Sequence, residues 1–548
     1  MLKFDLSMRR KENMELQKLP VGIPEFEKLR QLNCVYVDKT ELVYKIASDE
    51  GAPYFLSRPR RFGKSILTTT FKSLFEHGLE YFKGLAIEKL WTDKTYKVLY
   101  LNFADMNSKN TEQFIKDFNS DLLAAAERFD IDISDTQKDA PNSIIRQILK
   151  LTKEPIVILI DEYDSQLATN INNKELFEKF REILHDFFNA IKNNTKNLRF
   201  FFITGVSRFS NASLFSAFNN LQDISMNIEY AGITGFSVEE FEYYFKEHLE
   251  HASKVLNKPL VELKQDLKEF YDGYCFDEMA SVKLYNPWSV LNFLKNPRSG
   301  IISYWASTAQ TSLVYEYYAR RYFDGNLDEQ LDRANFNIPI RVSRQALNNS
   351  MNISEISESA LLFQTGYLSV VSGDVDTFTL LPPNLEIKAE LSEIFVDKIL
   401  KCNSRQFLTR SLGRQILKYL LNTDTESLKT DLNLILKNLS NYNTIFDHEN
   451  SVRDLISLSL KIMGIDNYVE VQDSCGRMEL MIPTRTHRFV FEFKLATNQS
   501  EVDKKFCEAK KQIIKRDYGN LLPTLELKRY VLVASKETKS IDRLELVL

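Results

Sequence analysis

Gly63-Lys64-Ser65 closes a compact basic turn that follows the apolar run PYFL (53–56) and precedes a stretch of helical periodicity. A strand–loop–helix unit ending in Gly-Lys-Ser suits a nucleoside triphosphate. Backbone N–H groups at the helix start face the phosphates, Lys64 neutralises the β/γ oxygens, and the Ser65 hydroxyl ligates Mg²⁺. Arg60, Arg61 and Phe62 complete the candidate loop. Further along, IVILI (156–160) runs into Asp161-Glu162. This arrangement lets one carboxylate hold Mg²⁺ through water while the next activates the attacking water. FFITGVSRFS then carries Thr204 and Ser207 out to Arg208. Ligands sit at the carboxyl edge of an open parallel sheet, and a cation there can sense γ-phosphate charge. Taken singly, each element has an ordinary explanation: a chance surface turn, an acidic helix start favoured by the dipole, a surface arginine. Together they predict binding of ATP or GTP.

A second constellation lies near the C-terminus, in GRMELMIPTRTHRFVFEFKLA (476–496). Two β-runs are joined by a turn, with Glu479 near the start of the first. Glu492 and Lys494 lie two apart on the second and so share a sheet face. Carboxylates from adjacent strands can hold a divalent metal against a phosphodiester, and a neighbouring lysine can orient or deprotonate the attacking water. Alternating Glu and Lys is equally the pattern of a solvated strand with cross-strand ion pairs. Lys510, Lys511, Lys515 and Arg516, on the KKQIIKRDY run, offer contacts to a nucleic-acid backbone.

These residues need elements to position them. Over 21–235 short apolar runs alternate with longer amphipathic ones, the pattern of a parallel α/β sheet. The expected strands are PYFL (53–56), VLYLNF (98–103), IVILI (156–160) and RFFFIT (199–204), each apolar enough to be covered on both faces. From 236 the chain becomes helical and aromatic, and 381–450 reads as a helical linker beginning near LLPPN. Residues 451–548 predict a helix (451–463), three strands (468–494), a helix (503–517) and a final strand (529–534). Residues 1–20 read as a charged, loosely held tail. The 548 residues are 44% hydrophobic and 27% charged, ordinary for globular protein, and a net charge of −4 excludes a globally basic nucleic-acid coat. Five scattered cysteines without CxxC pairing argue against zinc ribbons or a disulfide framework. No apolar run approaches membrane-spanning length and MLKFDLSMRRKENMELQK lacks a signal-like core, so a cytoplasmic protein without membrane attachment is expected.

RPRRFGKS, VDKTELV, IDEYD, TGVSRFS, SLFSAFNNLQDIS, YDGYCFD with YNPWSVLNFL, and LLFQTGYLSV together resemble the bacterial AAA-ATPase-like P-loop family over residues 20–375. Members are often fused to a C-terminal PD-(D/E)XK nuclease-like domain. The resemblance accounts for Arg58, which stands where the glycine-first loop has its first glycine. It implies ATP and Mg²⁺ as cofactors and, as in signal-transduction ATPases, an arginine after the strand that follows Asp-Glu, here Arg208. The C-terminal order of helix, strands, helix and strand is similar to the PD-(D/E)XK core, and Gln512 matches that family's helical glutamine. Glu479 departs from its usual aspartate. The implied fold is α/β: a P-loop NTPase domain (21–235), a helical lid or winged-helix-like region (236–380), the linker (381–450) and a restriction-endonuclease-like domain (451–548). YDGYCFD and YNPWS carry no catalytic spacing and are read as packing motifs. The expected function is ATP hydrolysis at Lys64, Ser65, Asp161 and Glu162, sensed by Arg208. Its nucleotide state would control a Mg²⁺-dependent nuclease of Glu479, Glu492, Lys494 and Gln512 acting on DNA or RNA, with homo-oligomerisation on nucleotide binding. Two alternatives stay open: a nucleotide-switched binding or scaffold protein with an inactive nuclease fold, and an effector whose C-terminal domain recognises a protein.

Overall fold

A computed structural model describes residues 16–134, 138–208, 221–305, 331, 336–348, 357–374, 376–399, 403–439, 445–473, 476–519 and 525–547. The chain divides into two compact units, residues 1–309 with 341–380, and residues 310–340 with 381–548. Among the described residues no helix is long and apolar enough to cross a membrane. Cys34, Cys275 and Cys507 are free thiols, while Cys402, Cys475 and most of SLFSAFNNLQDIS lie outside the described residues.

The first unit is built on a five-stranded sheet. Its strands are β1 (Pro53–Ser57), β2 (Val98–Asn102), β3 (Ile156–Asp161), β4 (Leu198–Gly205) and β5 (Gln222–Asp223). The order is β2-β3-β4-β1-β5, with every neighbouring pair parallel. Alternate residues feed two separate cores. Ile156, Ile158, Ile160, Phe201 and Ile203 face one side, and Val157, Leu159, Phe200 and Phe202 face the other. This two-sided burial is why the strands read as continuous apolar runs. Helix α1 (Lys64–His77) covers one face through Leu67, Phe71, Leu74 and Phe75. Helices α2 (Thr111–Arg128), α3 (Pro141–Leu151) and α4 (Lys174–Lys192) cover the other. Each fully buried Phe contributes about 1.5–3 kcal/mol relative to exposure.

Among the described residues four further helices, α5 (Val238–Tyr244), Lys246–Leu256, Leu260–Tyr271 and α6 (Pro287–Lys295), precede a three-stranded sheet in the order β6-β8-β7. Its strands are β6 (Ile340–Ser343), β7 (Ser369–Gly373) and β8 (Thr377–Leu381), with α7 (Glu358–Thr365) between the first two in sequence. Residues 236–380 thus combine helices with a small sheet. The N-terminal tail differs from expectation. Lys18 forms a parallel bridge with Cys34 and the Val35 N–H donates to the Lys18 carbonyl at 2.8 Å, so residues 16–20 are tied into the unit.

The second unit carries a five-stranded sheet of order β13-β12-β11-β10-β9. The strands are β9 (Tyr468–Asp473), β10 (Gly476–Pro483), β11 (His487–Ala496), β12 (Glu526–Ser535) and β13 (Ser540–Leu546). β11 and β12 are parallel, and the other pairs are antiparallel. Phe489, Phe491, Phe493 and Leu532 face a core with α9 (Arg410–Asn422), α10 (Thr425–Asn438) and α11 (Glu449–Ile462), after α8 (Leu385–Ile399). Val490, Ala496, Val531 and Val533 face α12 (Val502–Lys515), whose Val502, Phe506, Ala509 and Ile513 recur at helical spacing. Residues 381–450, expected as a linker, are built into this unit: Leu408, Ile416, Leu420, Leu428 and Leu432 belong to its main core. A linker would have kept those apolar faces in water. The final strand is also not β12, because β13 pairs beyond it.

Candidate functional site

The loop between β1 and α1 is shaped by left-handed residues at Arg61 (φ 66°) and Gly63 (φ 85°). Such alternation turns successive N–H groups toward one side, and no side chain caps the start of α1. Lys64 is buried, and its ammonium donates to the carbonyls of Arg58 at 3.0 Å and Pro59 at 3.1 Å. Burial pulls its pKa down, opposed by the charges of Glu162 and Asp161. Lys64, Ser65, Arg60, Arg61, Phe62, Gly63 and Glu162 all line one cavity of about 600 Å³. That volume lies within the range that encloses nucleotide-sized ligands.

The acids arrive from β3. Asp161 ends the strand, is buried, and accepts a hydrogen bond from the Thr204 hydroxyl. Glu162 follows in a left-handed conformation (φ 54°). Burial raises its carboxyl pKa, with Lys64 opposing. The turn is pinned by Asp164, which accepts from the Ser207 N–H at 2.7 Å, and by the Tyr163 hydroxyl, which donates to the Ser207 carbonyl at 2.9 Å. Gly205 is needed there: a Cβ would lie 2.5 Å from the Tyr163 ring and 2.8 Å from Asp164 Oδ1.

Arg208 is placed differently from expectation. It does not line the cavity. It is buried, with a guanidinium nitrogen 3.5 Å from Asp223 on β5, and its N–H donates to Gln364 of α7 at 3.0 Å. Side-chain direction past a strand end depends on the neighbouring strand, and β5 supplies the carboxylate that draws this one aside.

The aromatic motifs pack directly on the loop. Phe62 meets Tyr274 at 4.7 Å and Phe276 at 5.2 Å, both edge-on. The Arg58 guanidinium lies 4.4 Å over the Phe276 ring and donates to the Ser57 and Ser225 carbonyls. Arg61 lies 4.4 Å over Trp288 of α6. Gly366, just after α7, sits so close to Pro59 that a Cβ would approach it to 2.9 Å.

Sequence reasoning missed the rest of the cavity wall. Pro20 to Pro24, Ile233, Trp288 and Leu291 add apolar lining, and Lys39 adds a cation. Lys39 pairs with Glu240 at 2.6 Å, and Glu240 also accepts the Ser237 N–H that starts α5. The VDKT run is the one local signal of Lys39; its partner is distant in sequence.

In the second unit Glu479, Glu492 and Lys494 converge. The Lys494 ammonium lies 3.1 Å from Glu492 and 3.4 Å from both Glu479 and Glu449. Paired register between β10 and β11 ends at Leu480 and Phe491. Beyond it, carboxylates take the β11 donors: Glu479 accepts the Phe493 N–H at 2.6 Å, and Glu449 the Leu495 N–H at 3.0 Å. Burial and then the Glu492 charge push the Glu479 pKa up to about 7. Burial also raises Glu492. Burial opposes charge on Lys494, but Glu479, Glu492 and Glu449 together hold its pKa above the usual value. Among the described residues Glu492 Oε2 is buried without a hydrogen-bond partner, a spare ligand atom suited to a cation. Gln512 is half-buried on α12; Arg516, one turn on, acts electrostatically on Glu492. Glu449 was not anticipated, because an acid at a helix start is ordinary.

Residues 20–215 match the family model described as Predicted AAA-ATPase. Strands β1 to β4 of the parallel sheet, the Gly63-Lys64-Ser65 loop and the Asp161-Glu162 pair fall inside the matched stretch, and β5 lies just beyond it. The chain is also 29% identical over 496 residues to the "Uncharacterized protein in vnfD 5'region" of Azotobacter chroococcum mcd 1, covering 88% of this chain and 90% of that one.

Proposed function

We propose that the first unit binds and hydrolyses ATP and that its nucleotide state governs a metal-dependent phosphodiesterase centre in the second. The convergence of Lys64 and Glu162 on one cavity, beneath an uncapped helix start, carries the ATPase part. Phosphate oxygens replace the Arg58 and Pro59 carbonyls as acceptors for Lys64. Ser65 and Asp161 are the residues that would hold Mg²⁺, which would supply charge neutralisation to the phosphates. Glu162, made more basic by burial, takes the proton from the attacking water. The apolar lining of Pro20 to Pro24 and Trp288 takes the base. Arg208 reaches the γ-phosphate only on leaving Asp223, so its role as sensor requires a rearrangement, which association of two copies can supply.

In the second unit Glu479 and Glu492, with Glu449, are the residues that would hold Mg²⁺. The bound ion supplies Lewis-acid activation of water and of the scissile phosphate. Lys494 orients the water and neutralises the phosphate. Gln512 and the basic residues Lys510, Lys511, Lys515 and Arg516 of the α12 region contact the DNA or RNA backbone. The Phe493 amide anchors one oxygen of Glu479, which restrains the extra methylene that separates it from aspartate.

One observation favours a second reading, a nucleotide-switched binding protein without cleavage. The oxygens of Glu449, Glu479 and Glu492 surround an ammonium and do not all come within 4.8 Å of one another. Assays of the full chain separate the two. ATP turnover that is lost in Glu162→Gln with binding retained supports the ATPase. DNA or RNA cleavage with Mg²⁺ or Mn²⁺ that vanishes in Lys494→Ala supports the nuclease, whereas no cleavage with any metal or nucleotide supports the switch.

A further inference from the structure

Helix α11 buries a polar stripe as well as an apolar one. Arg453, Ser457 and Lys461 recur at four-residue spacing and are all buried, so they lie along one face. With Glu470 of β9 and Arg477 of β10 they line a small cavity of about 60 Å³. The cavity has a gradient of exposure: Arg477 is 67% exposed at its mouth, and Lys461 is 2% exposed.

Lys461 is the anomaly. Among the described residues Asp466 and Asp454 act on its ammonium by charge alone, without a hydrogen bond, and Lys388 opposes them. Asp466 is already paired with Lys388 at 3.1 Å. Arg453 contacts both Asp454 and Glu470, and Arg477 contacts Glu470. The cavity therefore brings together three cations (Arg453, Lys461, Arg477) and two carboxylates (Asp454, Glu470), an excess of one positive charge (3 − 2 = +1). A largely buried side chain whose charge has only long-range partners is unfavourable, and an anion in the cavity would reduce that cost.

We propose that this cavity is a site for a single phosphate group, held by Lys461 at the bottom and by Arg453 and Arg477 nearer the mouth. A cavity of about 60 Å³ has room for several ordered waters, each needing about 10–15 Å³, and so for one small oxyanion. Free phosphate and the terminal phosphate of a nucleic acid offer the same chemistry. The second source follows from position: Arg453 is one helical turn from Glu449, about 6 Å along the axis, and Arg477 is two residues before Glu479. Through these two segments a strand end seated here would be linked to the carboxylate centre. That placement rests on the phosphodiesterase reading, whereas the phosphate site itself does not.

Equilibrium dialysis of radiolabelled orthophosphate tests the site. The full chain carries Lys64→Ala throughout, so that the loop of the first unit does not compete. Saturable binding is expected, weakened tenfold or more by Lys461→Met and several-fold by Arg477→Gln. Met retains the apolar stem at the buried position, and Arg477 is exposed, so at least one variant keeps its fold; melting curves check both. Absence of saturable binding overturns the proposal, as does binding unchanged in a folded variant. Oligonucleotides with a 5′-phosphate, a 3′-phosphate or neither identify the source. A tenfold preference for one phosphorylated end, lost in Lys461→Met, assigns the site to nucleic-acid termini. Equal affinities alongside Lys461-dependent orthophosphate binding assign it to free phosphate. Neither outcome depends on cleavage, so failure of the phosphate site and failure of the nuclease are separately visible.

Discussion

The Lys64 ammonium lies 3.0 Å from the Arg58 carbonyl oxygen, folded back over the loop that its own helix follows. Its charge is thus buried against carbonyl oxygens and the nearby acids of the β3 edge, and burial disfavours it. A group held in this way is poised for a ligand more than for stability. Without nucleotide, Lys64→Met is expected to melt no lower than the parent, because Met keeps the apolar stem and removes the desolvated charge. A melting point several degrees lower by scanning calorimetry would instead make Lys64 a structural residue.

Gly205→Ala tests the packing behind the acids. The new methyl group would fall 2.5 Å from the Tyr163 ring. The clash with a buried aromatic is expected to destabilise the first unit by about 1–3 kcal/mol. Urea unfolding followed by a probe in that unit should show the shift, and an unchanged midpoint would mean the turn yields freely.

Phe62→Ala removes the anchor between Tyr274 and Phe276. A buried Phe truncated to Ala costs about 3–5 kcal/mol. ATP affinity should fall as well, since the loop loses its fixed point. Phe62→Leu, which refills most of the space, should recover much of both. If ATP affinity is unaffected in folded Phe62→Ala, the aromatic motifs do not organise the loop.

The sheet was legible because β1 to β4 are covered on both faces, which leaves continuous apolar runs between amphipathic helices. β13 was not, since SIDRLEL mixes charge with apolar residues and reads as a polar tail. The loop and the acid pair are each a contiguous run with a readable pattern, and Lys64 and Glu162 line one cavity. Lys39 with Glu240, and Arg208 with Asp223, are partnerships across sequence gaps that no local spacing records. Arg208 shows the consequence: its place after a strand was readable, but the direction of its side chain was set by β5. Glu449 was hidden for another reason, because its helix-start position already explains an acid.

The carboxylates of the second unit predict a pH dependence. Burial and Glu492 raise Glu479 from 4.5 to about 7 in the folded chain. Between those values the folded state binds more protons than the unfolded state, so stability falls as pH rises. Stability from this group is complete below about pH 4.5 and lost by about pH 7. Glu479→Gln is expected to flatten that slope and to raise stability above pH 7 in the absence of metal. Denaturation midpoints of the second unit across this range check it, and an unaltered slope would show that Glu479 ionises normally.

Titration of Mg²⁺·ATP into the full chain by calorimetry, beside Lys64→Ala, is the most direct test. Loss of a charged hydrogen-bonding group of this kind costs about 1.5–3 kcal/mol, roughly ten- to a hundredfold in affinity. The proposed site predicts saturable binding by the parent and at least that weakening in the variant. Equal binding by both chains, or none by the parent, would contradict it.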